Sequence, residues 1–254
     1  MNTEKDKGLD LLGLKPVSKS IEKVTDGVVD GAKAFLSRVC LPAAEEFGLL
    51  LKDQITHWRA SNAARLAQLA EKKVNQYSAG KDVSISPRIA HGIFDEGSWA
   101  DDESIHNMWA GLLASSCTED GNDDSGIIFI ATLKQLTSAQ VRILRFAVES
   151  SAKFKTTMGW PLAKGISCAT DIIRQISEID DLVRIDRELD HLCSLDLIAE
   201  GFMTDTDSLF LEPRPLALNL YVRGEGFPGT AVEFWNLEER KQHDANQTGD
   251  DNSE

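Results

Sequence analysis

Glutamate followed three residues later by histidine occurs twice, at Glu103-Ser-Ile-His106 and Glu188-Leu-Asp-His191. On a helix that spacing sets a carboxylate and an imidazole on one face. Two such pairs with two further glutamates would hold a di-iron centre inside a bundle. The second pair falls in what reads as a separate domain, so both are taken as coincidence. Asp120-Gly-Asn122-Asp-Asp124-Ser-Gly126 resembles a calcium loop at first sight. Its glycine comes one position late for an EF-hand, and the twelfth residue is Ala131 rather than glutamate. It reads as a solvated acidic loop. Gly224-Glu-Gly226-Phe-Pro-Gly229 matches GxGxxG, but a dinucleotide site needs a strand before it and a helix and strand after it. Pro228 and the short remainder of the chain cannot supply them. Cys40, Cys117, Cys168 and Cys193 form no CxxC and read as reduced core residues. No HExxH or GxSxG occurs. No catalytic residue, cofactor site or metal ligand is assigned from spacing.

The elements that would position any such site belong to an ordinary globular chain. It has 254 residues, 42% of them hydrophobic and 27% charged. Forty-one acids against 27 bases leave a net charge of −14, which disfavours a role in holding nucleic-acid backbone. No run of 18 apolar residues occurs, so no ordinary spanning helix is expected. The first residues, Met1 to Lys7, carry charges of both signs and no apolar core of a signal. A cytoplasmic location is expected, with membrane association as an addition to it.

Between residues 9 and 40, Val17, Ile21, Val24, Val28, Ala32, Phe35 and Val39 recur at spacings of three or four. That is an amphipathic helix. Gly27 and Gly31 form a GxxxG on it, which suits a close helix partner. Pro42 marks a break, and a long helix over about 43–75 follows. Helices resume at 88–97, 101–117 and 127–136. Thr137 and Gln140 read as a capping box opening the next helix. Residues 153–166 read as irregular. Helices at about 168–178 and 181–195 precede two strands, about 197–202 and 208–212, and a closing helix at 214–222. Helix, helix, helix and hairpin is the order of a winged helix. The fold class read here is mainly α: a helical N-terminal bundle, then a winged-helix-like α+β region.

The third helix of that region would be the reader of DNA. Between Asp180 and Asp196 it carries Asp180, Asp181, Asp186, Glu188, Asp190 and Asp196 against Arg184 and Arg187. Such a surface repels phosphate, so a protein-contacting winged helix is expected instead. The helix at 52–73 is the one basic element, with Lys52, Arg59, Arg65, Lys72 and Lys73.

Three stretches carry a family likeness. They are Leu41-Pro-Ala-Ala-Glu-Glu-Phe-Gly through Trp58-Arg59-Ala-Ser-Asn62; Ile85-Ser-Pro87-Arg88 with Asp101 to Ser116, including Met108-Trp109-Ala110-Gly-Leu112; and Phe129 to Ala139. This pattern resembles the Abi-alpha family of bacterial abortive-infection domains, over about residues 40–145 and more weakly through 197–212. The resemblance implies phage defence, alone or within a defence system, and brings no catalytic residues with it. Residues 1–40 are then an amphipathic helix, 41–136 an Abi-alpha-like helical domain, 137–222 the winged-helix-like domain, and 223–254 a polar, disordered tail. Trp109, Leu112 and Leu113 read as core, and Arg59 and Asn62 as a pair that bonds a neighbouring loop. Gly27, Gly31, Arg59 and Asn62 are the interaction candidates. The leading reading is a non-enzymatic defence protein acting through protein contacts, with a second copy or a co-encoded defence protein as partner. A membrane-active effector using the N-terminal helix is the alternative, and an unrecognised metal-dependent hydrolase or nuclease the third.

Overall fold

The computed structural model describes residues 29–43, 45, 54–78, 80–199, 201–202 and 207–238. Residues 29–39 form α1. It is followed by α2 (Gln54–Tyr77), α3 (Pro87–Gly97), α4 (Glu103–Ser115), α5 (Ile127–Leu133) and α6 (Ser138–Ser150). Then come β1 (Lys153–Lys155), β2 (Pro161–Ala163), β3 (Ile166–Ala169), α7 (Thr170–Ser177), α8 (Leu182–Ser194), β4 (Ile198–Ala199), β5 (Ser208–Pro213), α9 (Pro215–Gly224) and α10 (Ala231–Phe234). The chain is mainly α with small antiparallel sheets in its C-terminal half.

The centre is α4. Met108 through Ser115 are all buried, so this helix is covered on every side rather than along one stripe. Asp102 caps it, accepting from the Ser104 and Ile105 amides at 2.9 and 3.4 Å. The Trp109 ring lies fully inside. Helices α2, α3 and α9 pack against α4. The described part of the N-terminal helix closes on the same core, with Ala32, Phe35, Leu36 and Val39 buried in it. That stripe therefore covers this chain's own interior. Its upstream half, with Val17, Ile21, Val24 and Val28, lies outside the described residues, as does Gly27.

The capping box at Thr137 forms as expected: Thr137 Oγ1 accepts from the Gln140 amide at 3.2 Å, and Gln140 Oε1 accepts from the Thr137 amide at 2.9 Å. The region expected to be irregular over 153–166 instead contains a hairpin, with Lys153, Phe154 and Lys155 opposite Ala163, Leu162 and Pro161. A helix start near residue 168 is also corrected. Ile166–Ala169 is a strand, pairing Cys168 with Leu209 and Ala169 with Ser208. Its neighbour β5 also pairs with β4, giving the order β3-β5-β4. The stretch after Gly224, grouped on composition with the polar tail, is structured to residue 238. Thr230 and Glu233 make a second capping box there.

The hydrophobic cluster runs without a break from Ala32 to Ala231. No single described helix is long and apolar enough to cross a membrane.

Candidate functional site

Arg59 and Asn62 are one turn apart on α2 and reach the same turn at the end of α3. Arg59 Nε donates to Ser98 Oγ at 3.0 Å, and its Nη2 donates to the Asp95 carbonyl and carboxylate at 3.1 and 3.2 Å. Asn62 Nδ2 donates to the Ser98 carbonyl at 3.2 Å. The pair thus bonds a neighbouring loop, as its spacing suggested. The guanidinium also lies 4.3 Å from the centre of the Trp99 ring, a cation–π contact. Trp58 sits 6.1 Å from Trp99, and the two indoles are 45% and 53% exposed. Arg59 is spent on fixing the turn. What the arrangement presents outward is a pair of oriented indoles, with the exposed Asp95 carboxylate already paired to Arg59.

Gly31 is exposed, and a Cβ built there would meet only Gln68 Nε2, at 3.8 Å. Among the described residues a closer helix approach lies elsewhere. A Cβ on Gly111 of α4 would overlap the Gly224 carbonyl of α9, and one on Gly224 would overlap the Met108 sulfur. Gly224 is therefore a packing glycine at a helix end, not the first glycine of a phosphate loop. Arg223 beside it donates to the Ser115 carbonyl at 2.8 Å and closes the end of α4.

The two glutamate–histidine pairs are not brought together as ligands. Glu103 is exposed, while His106 is fully buried with Nδ1 3.2 Å from the Ala100 carbonyl. Glu188 Oε2 accepts from Thr137 Oγ1 at 3.0 Å, and Gln140 Nε2 lies 2.9 Å from His191 Nδ1. These bonds fasten α6 to α8. In the 118–126 loop Asp120 accepts from Thr118 Oγ1 at 2.8 Å, and that bond is the first cause holding its carboxyl below the usual range. Among the described residues no cluster of three or more His, Cys, Asp or Glu is placed to hold a metal. Burial pushes the Cys117 thiol up to about 12, which leaves it protonated and poorly nucleophilic at neutral pH.

One polar cluster was missed from the sequence because its members come from distant helices. Arg145 Nη1 pairs with Glu225 at 2.6 Å and Nη2 with Glu149 at 3.0 Å. The Tyr221 hydroxyl donates to Glu149 at 3.1 Å, and Lys73 Nζ donates to the Glu225 carbonyl at 3.2 Å. Burial lowers the Lys73 ammonium despite the Glu225 charge and raises the Tyr221 phenol. Perturbed groups can mark a catalytic centre. Here each is engaged with a partner, and the set fastens α9 to α2 and α6.

Two surfaces of the C-terminal half remain. On α8, Val183 is 79% exposed among the exposed Asp180, Asp181, Asp186 and Asp190, with Arg184 and Arg187 beside them. On the β1–β2 hairpin, Met158 and Trp160 at the tip are 79% and 62% exposed. The tip is well defined. The Thr156 amide donates to the Trp160 carbonyl at 2.9 Å, the Gly159 amide to the Thr156 carbonyl at 2.8 Å, and Gly159 takes the left-handed φ of +84°.

Fold and site together define a helical protein whose described polar clusters fasten its own elements and whose outward apolar side chains sit in small sets. A family model, Abortive infection alpha, matches residues 60–214, and the chain belongs to that family. Nothing matches it among the curated proteins or among the solved structures. The match takes in Asn62 and Trp109 and runs through the C-terminal sheet, well past the residue 145 at which the main resemblance was drawn. It leaves Leu41 to Gly48 and Trp58-Arg59 outside.

Proposed function

We propose that this chain is an antiphage protein of the abortive-infection type that acts through contacts with another protein, with no catalytic step of its own. In this reading the C-terminal half is a winged helix turned to protein contact. With the β1–β2 hairpin as an insertion after α6, the order α6, β3, α7, α8, β4, β5, with β5 between its two neighbours, supports that topology.

The observation that carries the proposal is the face of α8. A helix that reads DNA needs cations toward phosphate. This one turns Asp186 and Asp190 outward beside the exposed Val183, with Asp180 and Asp181 just ahead of its first turn, so that four acids outnumber the exposed Arg184 and Arg187. An apolar residue with charged surroundings suits the centre and rim of a protein contact. The engagement of Glu188, His191 and His106 inside the fold, and the buried thiol of Cys117, further favour contact over chemistry.

The test is phage challenge of cells carrying the chain together with its neighbouring genes. The expected pattern is culture survival at low multiplicity of infection and collapse at high multiplicity. Val183→Glu on the exposed face is expected to abolish protection while the purified variant keeps its circular dichroism and melting point. Full protection by that variant would overturn the contact reading of α8. Loss of protection by chelation alone would favour metal-dependent chemistry instead.

A further inference from the structure

The geometry points to a second copy of this chain as the partner of α8, with the β1–β2 hairpin of one copy seated on the α7–α8 face of the next. This rests on the proposed contact role of α8 and names its partner.

The hairpin is the complement of that face in both charge and apolarity. From Ser151 to Thr170 the chain carries Lys153, Lys155 and Lys164 and no acid, in a protein of net charge −14. Lys153 is held, donating to the Glu149 carbonyl at 3.2 Å and lying 5.3 Å from the Trp235 ring. Lys155 and Lys164 are left to serve a partner. Between them Met158 and Trp160 stand out from a turn fixed by its own hydrogen bonds, so little ordering entropy opposes binding. Exposed Trp at such a tip is the residue type that dominates protein contacts.

The receiving face offers the exposed Val183 on α8, where Asp180, Asp181, Asp186 and Asp190 outnumber Arg184 and Arg187, and the neighbouring helix α7 exposes Ile172. An anionic bilayer would also attract lysines and an indole. It would repel the rest of this acidic chain, whereas a second copy supplies the acids and the apolar residues together. Hairpin-to-helix contact can be made reciprocally across a two-fold dimer, or head-to-tail into a ring or a filament.

Sedimentation velocity of the full chain over a concentration series tests this. Species larger than a monomer are expected at about 50 mM salt and fewer at about 500 mM, since the contact is partly ionic and exposed. Trp160→Ser is expected to weaken association about tenfold or more. Lys155→Glu with Lys164→Glu should stop assembly, and so should Asp186→Lys with Asp190→Lys. Mixing these two charge-reversed chains should restore it, because every hairpin then meets a face of opposite charge. One chain carrying all four reversals should assemble by itself. Trp160, Lys164, Asp186 and Asp190 are exposed and Lys155 is half-buried, and circular dichroism on each variant checks the fold. A monomer at every concentration, indifference to the reversals, or failure of the mixture would overturn the proposal. So would binding to phosphatidylglycerol vesicles that Trp160→Ser abolishes, which would assign the tip to lipid. A monomeric wild type whose Val183→Glu variant still loses phage protection would overturn only the second copy and leave the contact role of α8 standing.

Discussion

His106 is an imidazole with no solvent exposure, one ring nitrogen facing the Ala100 carbonyl and the other, Nε2, without a hydrogen-bond partner. Burial is the largest cause lowering its pKa below 6.5; the Ala100 bond opposes the shift and the Arg65 charge adds to it. The folded chain therefore holds this histidine neutral while the unfolded chain protonates it. Below pH 6.5 the unfolded state binds more protons, so the stability contributed here is lost as pH falls. His106→Gln removes the titration. Wild type is expected to melt above the variant at pH 7.5 and the gap to shrink by pH 5.5, read by circular dichroism. A gap independent of pH would mean that the ring charges without cost. At the same scale, Arg59 shows how a residue that looks available for a partner can be consumed internally. Its bonds to Ser98 and Asp95 hold the turn that carries Trp99.

At the scale of elements, the crossing of α4 and α9 is set by two glycines. Gly111→Ala forces its methyl into the Gly224 carbonyl, which cannot rotate away as a side-chain tip could. The helices must separate, at a cost of about 3 kcal/mol or more. Gly31→Ala places a methyl in ordinary contact with Gln68 and is expected to stabilise α1 by up to about 1 kcal/mol through helix propensity. Urea unfolding of both variants measures the pair. Equal effects would show that α4 and α9 have room to part. The GxxxG spacing at Gly27 and Gly31 is easy to see in a sequence. Gly111 and Gly224 are far apart in the chain and have no spacing that announces them.

For the whole molecule, the last described residues matter. Phe227 meets the Tyr77 ring edge-on at 5.4 Å, and Trp235 stacks on Tyr221 at 5.9 Å. These rings join the last short helix to α2 and α9. A chain ending at 239 loses only polar sequence and is expected to melt within about 2 °C of the full chain. A chain ending at 226 loses Phe227, Phe234 and Trp235 from the core edge and is expected to melt about 10 °C lower or more. Differential scanning calorimetry distinguishes them. A similar drop for both would mean that residues 240–254 dock on the body.

Local features were legible in the residue pattern. The capping box at Thr137, the helix stripes, the α8 face and the β4–β5 pair each depend on residues within a turn or two, so pattern alone reveals them. The family likeness was legible too, through Trp109 and its neighbours, because those residues fill one buried helix. The Arg59–Asn62 pairing with a loop was readable as a spacing, though not its target. The remaining features arise from packing between distant segments. Lys153–Lys155, Pro161–Ala163 and Ile166–Ala169 are too short to declare themselves as strands. They become strands because a partner satisfies their backbone groups. The Lys73–Arg145–Tyr221–Glu225 cluster and the Gly111–Gly224 crossing join residues far apart in the chain. Packing brings such residues together, and no local pattern encodes it.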